Sequence, residues 1–528
     1  MPKILVSDPI SEAGIEILRK AGEVHVRTGQ SEEEILQFIG DFDAMIVRSE
    51  TKVTARIIEQ AAKMRIIGRA GVGVDNIDLK AATQRGIIVV NSPAGNTTAA
   101  AELTIGLLLC VARNIPQAHC GTITGKWDRK KFVGSEVYRK TLGVIGLGKI
   151  GREVARRARA LGMHVIGFDP FTPDDVAQQA GVHKVDLDTL FNTCDFLTVH
   201  TPLNDQTRNL VNAERLSQMK PSAMVVNVAR GGIINEADLA AALKDGRIAG
   251  AAVDVFTAEP IKEDNPLIGC PHCILTPHLG ASTVEAQEGV AVDVAQQIAD
   301  VLSGGPARSA VNMPAVDPEM MERLMPYFTL TEKMGSLLAQ LYPTAISRAE
   351  VLFTPDFADC PVDVLARSAV AGLLQPQLAE PVNSVNAPVL AQARGLQVST
   401  SMSWQPRLGN YASAVGLTVQ ASDGEHEVTG TVLPSGECRI LDVDGFRVDI
   451  EPHGNMIFTR HIDRPGVIGR VGTLLGNQGV NVAGMHLGRE SVGGTALMVL
   501  MVDSEISDQL LADFRALDGM GAAQVVAL

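Results

Sequence analysis

The chain has 528 residues, of which 46% are hydrophobic, 20% charged and only 4% aromatic, a globular balance that calls for aliphatic cores and leaves no need for disorder. One core does not suffice at this length, so three or four domains are expected. The net charge of -14, from 46 basic and 60 acidic side chains, excludes a general nucleic-acid binder, which needs a basic footprint.

The opening MPKILVSDPI lacks the pattern of a signal peptide. No apolar run approaches the ~18 residues of a membrane span, so no membrane partner and a cytoplasmic location are expected. Cys270 and Cys273 flank Pro271-His272 with no second pair elsewhere among the seven cysteines. Idle thiols in a reducing compartment, and no metal, are the expectation.

The first hundred residues alternate strand and helix signals. Strands are expected at 4–7, 44–47, 65–68 and 87–91, and a helix at 11–21 that Ser11 can cap. Such alternation implies βαβ units and a parallel sheet. Residues 98–112, apolar on nearly every face, read as a buried helix. A second series follows, with strands at 141–145, 164–168, 196–200, 223–227, 249–253 and 273–275 and a helix at 149–161. The amphipathic stretch 283–302 then returns the chain to the first domain. Residues 303–306 (SGGP) and the VNMPAVDP stretch mark a boundary near residue 315. From there to about 452 the signals are mixed, with no cluster of chemically useful side chains. The end reads β-α-β-β-α-β, with strands at 456–461, 482–489, 495–502 and 523–527 and helices at 466–477 and 507–517, a ferredoxin-like order. The fold class is thus α/β. Two doubly wound parallel-sheet (Rossmann-like) domains are expected, at 1–98 with 286–315 and at 99–285. An α/β intervening domain (316–452) and a ferredoxin-like domain (453–528) follow.

Gly146-Leu147-Gly148-Lys149-Ile150-Gly151 follows an apolar strand and opens a helix, and Asp169 closes the next strand. That context, rather than the glycines alone, is what a dinucleotide site requires. Gly146 allows the tight turn, Gly148 lets backbone approach a pyrophosphate, and Gly151 lets helix pack on strand. The helix N-terminus offers N–H groups to phosphate. A carboxylate at Asp169 accepts ribose hydroxyls and repels a 2′-phosphate, favouring NAD over NADP.

Arg230, Glu259 and His278 each follow a different predicted parallel strand, at the carboxyl ends where such sheets build their sites. Oxidising a 2-hydroxy acid needs a base for the hydroxyl proton, and neutral imidazole suits this. A carboxylate orients that imidazole, and a planar guanidinium takes the substrate carboxylate. Arg48 and Arg69 follow first-domain strands, with the turn Gly71-Val72-Gly73 beside Arg69; guanidiniums match phosphate, and turn N–H groups can take a carboxylate. Arg129 and Lys131 lie in the basic stretch after Trp127.

The segments GLGKIG, TPLNDQTRNL, VNVARGGIINEADL, AAVDVFTAEP and TPHLGASTVEAQ, in this order, resemble the D-isomer-specific 2-hydroxyacid dehydrogenase family over about residues 1–312. IVRS, GRAGVGVDNID, GKWDRKKFVG and the two extra C-terminal modules resemble its long-chain branch, which oxidises 3-phospho-D-glycerate with NAD in serine synthesis. The resemblance implies that Arg230 binds substrate, Glu259 supports His278, and His278 is the acid/base. It implies cofactor contacts from Lys149, Ile150, Asp169, Thr201, Val228, Ala229, Asp254, Leu279, Gly280 and Ala281, with Asp254 on the nicotinamide carboxamide. It also implies phosphoglycerate binding by Arg48, Arg69 and the 71–73 turn, a 127–131 loop reaching a neighbouring subunit, and a homo-oligomer, dimer or tetramer. Residues 455–528, with HIDRPG and GNQGVNVAGM, resemble an ACT domain, which implies L-serine as effector at His461, Asp463 and Asn481. The alternatives are a hydroxypyruvate or 2-oxoglutarate reductase of the same family, or a non-catalytic NAD-sensing regulator.

Overall fold

The computed structural model describes residues 1–314, 316, 318–402 and 411–528; residue 315, the expected boundary, lies outside them. Each of the first two sheets is parallel throughout. The first has five strands in the order Glu23–Val26, Lys3–Val6, Ala44–Val47, Ile66–Arg69, Ile88–Asn91. The second has seven, in the order Cys273–Leu275, Gly250–Val253, Met224–Asn227, Phe196–Val199, Thr141–Ile145, His164–Phe168, His183–Lys184. Its order reverses between Thr141–Ile145 and Phe196–Val199, the crevice where open α/β sheets bind ligands. Inner strands such as Ala44–Val47 and Phe196–Val199 are buried at every position, because helices cover both faces and continuous apolar runs are stable only there.

Two helices tie the lobes together. Thr97–Ala112 leaves the first sheet and packs Leu107, Leu108 and Val111 under Leu142, Val144 and Val226 of the second. Val284–Leu302, capped by Thr283, carries the chain back, burying Val290, Val294 and Ile298 with Ile4, Val6 and Ile66. That return depends on small residues, since a Cβ on Gly68 would lie 2.4 Å from Val294. No single helix among the described residues is long and apolar enough to cross a membrane.

The intervening region is a six-stranded mixed sheet covered by the helices Pro318–Leu341 and Asp363–Leu374. These helices touch at Gly335 and Gly372, where a Cβ would come within 2.1 and 1.9 Å of the opposing backbone. The last sheet is antiparallel, in the order Val482–Arg489, Thr495–Val502, Asn455–Ile462, Met520–Ala527. Ile457, Met498 and Leu500 on one face bury against the helices Val467–Asn477 and Asp508–Arg515. Met456, Phe458, Leu497 and Val499 on the other join the intervening core.

Strand Glu23–Val26, the two-residue His183–Lys184 and the helices Glu32–Leu36, Ala55–Gln60, Leu79–Gln84 and Ile115–Ile123 were not individually anticipated. The strands are edge strands, and the first three helices run to only five or six residues, too short for periodicity to register.

Candidate active site

Three loops from the second sheet converge. After Met224–Asn227, the buried Asn227 folds the chain back: its Oδ1 accepts from Ala229 N at 3.0 Å and its Nδ2 donates to Arg230 O at 3.0 Å. After Gly250–Val253, Asp254 is fully buried. After Cys273–Leu275 comes His278, held in left-handed backbone at φ 54°. Its amide donates to Asp254 O at 2.9 Å, and the next two amides, Leu279 N and Gly280 N, donate to the Asp254 carboxylate at 2.8 and 3.0 Å. Thr276 Oγ1 donates to the same carboxylate at 2.6 Å. Burial pushes the Asp254 carboxyl up, against these hydrogen bonds.

His278 Nδ1 lies 2.6 Å from Glu259 Oε2, and Glu259 Oε1 accepts from Phe256 N at 2.9 Å. Burial pushes the Glu259 carboxyl up, but the hydrogen bonds from His278 and Phe256 and the charge of Arg230 outweigh it and hold it below the usual carboxylate range. Glu259 therefore stays ionised near neutrality, leaving Nε2 of His278 as the free ring nitrogen. Arg230 reaches across to the first lobe, its Nε donating to Asp75 Oδ2 at 3.0 Å.

At the glycine turn each glycine has its own reason. Gly146 sits at φ 91°, and a Cβ there would lie 2.5 Å from His200 O. A Cβ on Gly151, in the first turn of helix Lys149–Ala160, would lie 2.0 Å from Gly146 O. Gly148, at the N-cap, faces open space. Asp169 lies against this turn, with Oδ2 accepting from Leu147 N at 2.8 Å and Oδ1 from Phe171 N at 2.8 Å. Burial raises its carboxyl, and these amides more than reverse that. Among the described residues the Thr201 hydroxyl is buried without a partner. An open N-cap glycine, an ionised aspartate beside it and an orphaned hydroxyl are the features a dinucleotide would complete. Lys149 and Ile150 open the helix, and Val228 and Ala229 sit on the Asn227 turn. Leu279, Gly280 and Ala281 follow His278, with Gly280 close against Val228.

Across the cleft, Arg48 and Arg69 sit at the ends of Ala44–Val47 and Ile66–Arg69. The Arg48 amide is fixed by buried Asp8 at 2.6 Å. Arg69 is largely buried with its Nε unpaired, and its guanidinium is pulled down to about 10, first by burial and then by the charge of Arg230. Gly71 and Gly73 make room: a Cβ on Gly71 would lie 1.6 Å from Arg69 Nη1, and one on Gly73 1.9 Å from Arg230 Nη2. Val72 O accepts from Asn91.

The remaining expected residues are placed differently. Arg129 and Lys131 lie in an exposed turn, Arg129–Phe132. His461, 4% exposed, lies inside the ACT-like sheet with Nδ1 unpaired among the described residues, because strand alternation turns it toward the helices. Asp463 accepts from Arg489 at 3.1 Å, and Asn481 donates to Asp503 at 2.5 Å. The Asp254 carboxylate serves the loop that carries His278. Asn227, Asp75 and Asp8 were not singled out from the sequence. For Asn227 and Asp8 the signal is a polar residue at or just beyond the carboxyl end of an apolar strand; Asp75 lies farther along the loop after Ile66–Arg69.

Family models match in chain order. The NAD-binding domain of D-isomer-specific 2-hydroxyacid dehydrogenases covers residues 105–280, the D-3-phosphoglycerate dehydrogenase intervening domain 323–444, and the ACT domain 455–519. A D-3-phosphoglycerate dehydrogenase of Synechocystis is 48% identical over 100% of this chain and 95% of its own length. That of Methanocaldococcus jannaschii is 44% identical over 100% of both. Among solved structures, a glyoxylate reductase from Paecilomyes thermophila superposes with TM-score 0.55 at 29% identity, covering 59% of this chain and 98% of that one.

Proposed function

The chain belongs to the D-3-phosphoglycerate dehydrogenase family, and on that premise we propose that the interlobe cleft is where 3-phospho-D-glycerate is oxidised to 3-phosphooxypyruvate. The enzyme is an NAD-dependent oxidoreductase. The observation that carries the site assignment is the 2.6 Å His278–Glu259 contact opposite Arg230, in a cleft whose far wall holds Arg48 and Arg69.

His278 Nε2 takes the C2 hydroxyl proton, and Glu259 stabilises the imidazolium that results. Arg230 and the 71–73 turn hold the carboxylate, fixing C2 beside His278 Nε2. Arg48 and Arg69 take the phosphate; partly desolvated Arg69 gains most from a dianion. NAD held at the glycine turn would supply the hydride acceptor for C2. Gly148 and the helix amides would hold its pyrophosphate, Asp169 its adenosine ribose, and Thr201, Val228 and Ala229 would line the rest of its site. Asp254 serves by bracing Leu279 and Gly280.

The lobe built on Ile115–Ile123 and the loop after it exposes Ile115, Ile123, Trp127, Val133 and Tyr138, which supports a homo-oligomer buried on that face, with Arg129 and Lys131 delivered to a neighbour's cleft. The ACT domain fits an amino-acid effector. L-serine would sit at Asp463 of one chain and Asn481 of another, with His461 shaping the wall from inside. Seven cysteines free of disulfides support a reducing, cytoplasmic setting.

NADH formation on phosphoglycerate, compared with lactate, glycerate and 2-hydroxyglutarate, tests the substrate. Higher kcat/KM on an unphosphorylated acid refutes it. Repeating the assay with L-serine tests the effector.

A further inference from the structure

Arg230 is already engaged. Its Nε donates to Asp75 Oδ2 at 3.0 Å, a bond that spans the cleft between the second lobe and the first. Asp75 side-chain exposure is 70%, and among the described residues it accepts no other hydrogen bond. The other carboxylate near these arginines, Asp8, is its opposite. It is 1% exposed and clamped by Arg48 N, Thr51 N and the Thr51 hydroxyl. Of the carboxylates near these guanidiniums, Asp8 is fixed, Glu259 is held by His278 and Phe256 N, and Asp75 is loose.

The edge of Arg230 that Asp75 occupies faces the 71–73 turn. Nη2 lies against Gly73, where a Cβ would come within 1.9 Å of it, while Nη1 is turned back onto Ala229 O at 2.7 Å. A substrate carboxylate entering between the turn and Arg230 meets this same edge. Two carboxylates cannot share one guanidinium edge without like-charge repulsion.

We propose that Asp75 is a positioning residue and internal competitor: it holds Arg230 extended across the cleft and yields its Nε edge to the substrate carboxylate. This rests on the assignment of Arg230 to that carboxylate. The consequence is selectivity. A ligand without a carboxylate leaves the Asp75 pair intact and gains nothing from Arg230, whereas an anion bearing one replaces a weak exposed pair with a desolvated one.

Asp75→Asn keeps an oxygen acceptor for Nε and removes the competing charge. Exposed pairs of this kind are worth enough to shift KM for phosphoglycerate down by about two- to five-fold in the full-length enzyme at saturating NAD. The change in kcat is expected to be smaller, and the KM gain is expected to shrink at high salt. A merely structural Asp75 would instead raise KM or lower kcat without salt dependence, and either result, or an unchanged KM, overturns the proposal. Arg230→Gln in parallel separates the two readings. If it leaves KM intact, Arg230 does not bind the carboxylate and the premise falls; if it raises KM steeply while Asp75→Asn fails to lower it, only the role of Asp75 falls.

Discussion

Replacing Gly148 with alanine should separate cofactor affinity from folding, because the two demands on that residue are independent. Its φ is −64°, ordinary for any L-residue, and a Cβ there meets nothing within 4 Å in the protein. Two small effects on stability oppose each other. Alanine at an N-cap costs about 0.5–1.5 kcal/mol relative to good caps, and loss of glycine's unfolded-state freedom returns about 0.4–1 kcal/mol. The net lies within about 1 kcal/mol, so Tm should move by no more than about 3 °C. The methyl does intrude where the pyrophosphate must approach the helix N-terminus. Loss of one charge-assisted hydrogen bond, about 1.5–3 kcal/mol, weakens NADH binding by roughly 10- to 150-fold. Gly151→Ala is the control of opposite sign. Its Cβ would lie 2.0 Å from Gly146 O, backbone that cannot swing aside, so it should cost about 1–3 kcal/mol in folding. Thermal melts and NADH fluorescence titrations on both variants give the answer. Unchanged NADH affinity in Gly148→Ala refutes the placement of the pyrophosphate.

Other consequences can be checked on the same preparation. His278→Gln should lower kcat by about 10²- to 10⁴-fold with NADH affinity within about two-fold; retained turnover removes its role as base. Glu259→Gln, which can still accept from Nδ1 but carries no charge, should lower kcat by about ten-fold or more with little change in KM, read from steady-state rates. His200, bonded to Thr198 Oγ1 at 3.0 Å, is driven down to about 4 from 6.5 by burial. Its folded state stays neutral while the unfolded chain takes up a proton, so stability rises with pH from about 4 to 6.5 and is lost as pH falls through that window. The loss is at most about 3 kcal/mol, a ceiling because the residue keeps some exposure. Denaturant melts of His200→Asn across this range should show a flattened acid limb, and an unaltered limb counts against it.

Much of the framework is legible in the sequence because strands buried on both faces read as apolar runs. AMIV at 44–47, FLTV at 196–199 and MVVN at 224–227 declare themselves by composition. Glu23–Val26, by contrast, is an edge strand with only partial burial, so nothing in its own pattern separates it from a loop. The intervening sheet is mixed, and its strands are defined by partners up to about seventy residues away, such as Val351 opposite Leu417, a pairing that no local period encodes. The burial of His461 is hidden in another way. It lies on a strand whose register decides whether odd or even positions face the helices, and only the pairing with Ala496 and Met520 settles that.

The chemistry divides along the same line. Arg230, Glu259 and His278 are found from the sequence because each follows an apolar strand, and strand ends of one parallel sheet must meet. Asp75 follows no strand directly, and its partner is 155 residues away on the other lobe. Its importance arises only when the return helix Val284–Leu302 and the crossing helix Thr97–Ala112 set the lobes face to face. The Arg230, Glu259 and His278 set can thus be read within one sheet. The groups that regulate access to them belong to the cleft, and a cleft is a property of two sheets held at a distance by helices whose packing, at Gly68 against Val294 and Ile298, leaves no room for a methyl group. Gly68→Val should therefore reach the active site from behind the sheet. It would displace the return helix, loosen the Asp75–Arg230 register and raise KM for phosphoglycerate more than KM for NAD, and equal changes in the two would show that lobe spacing does not control the cleft.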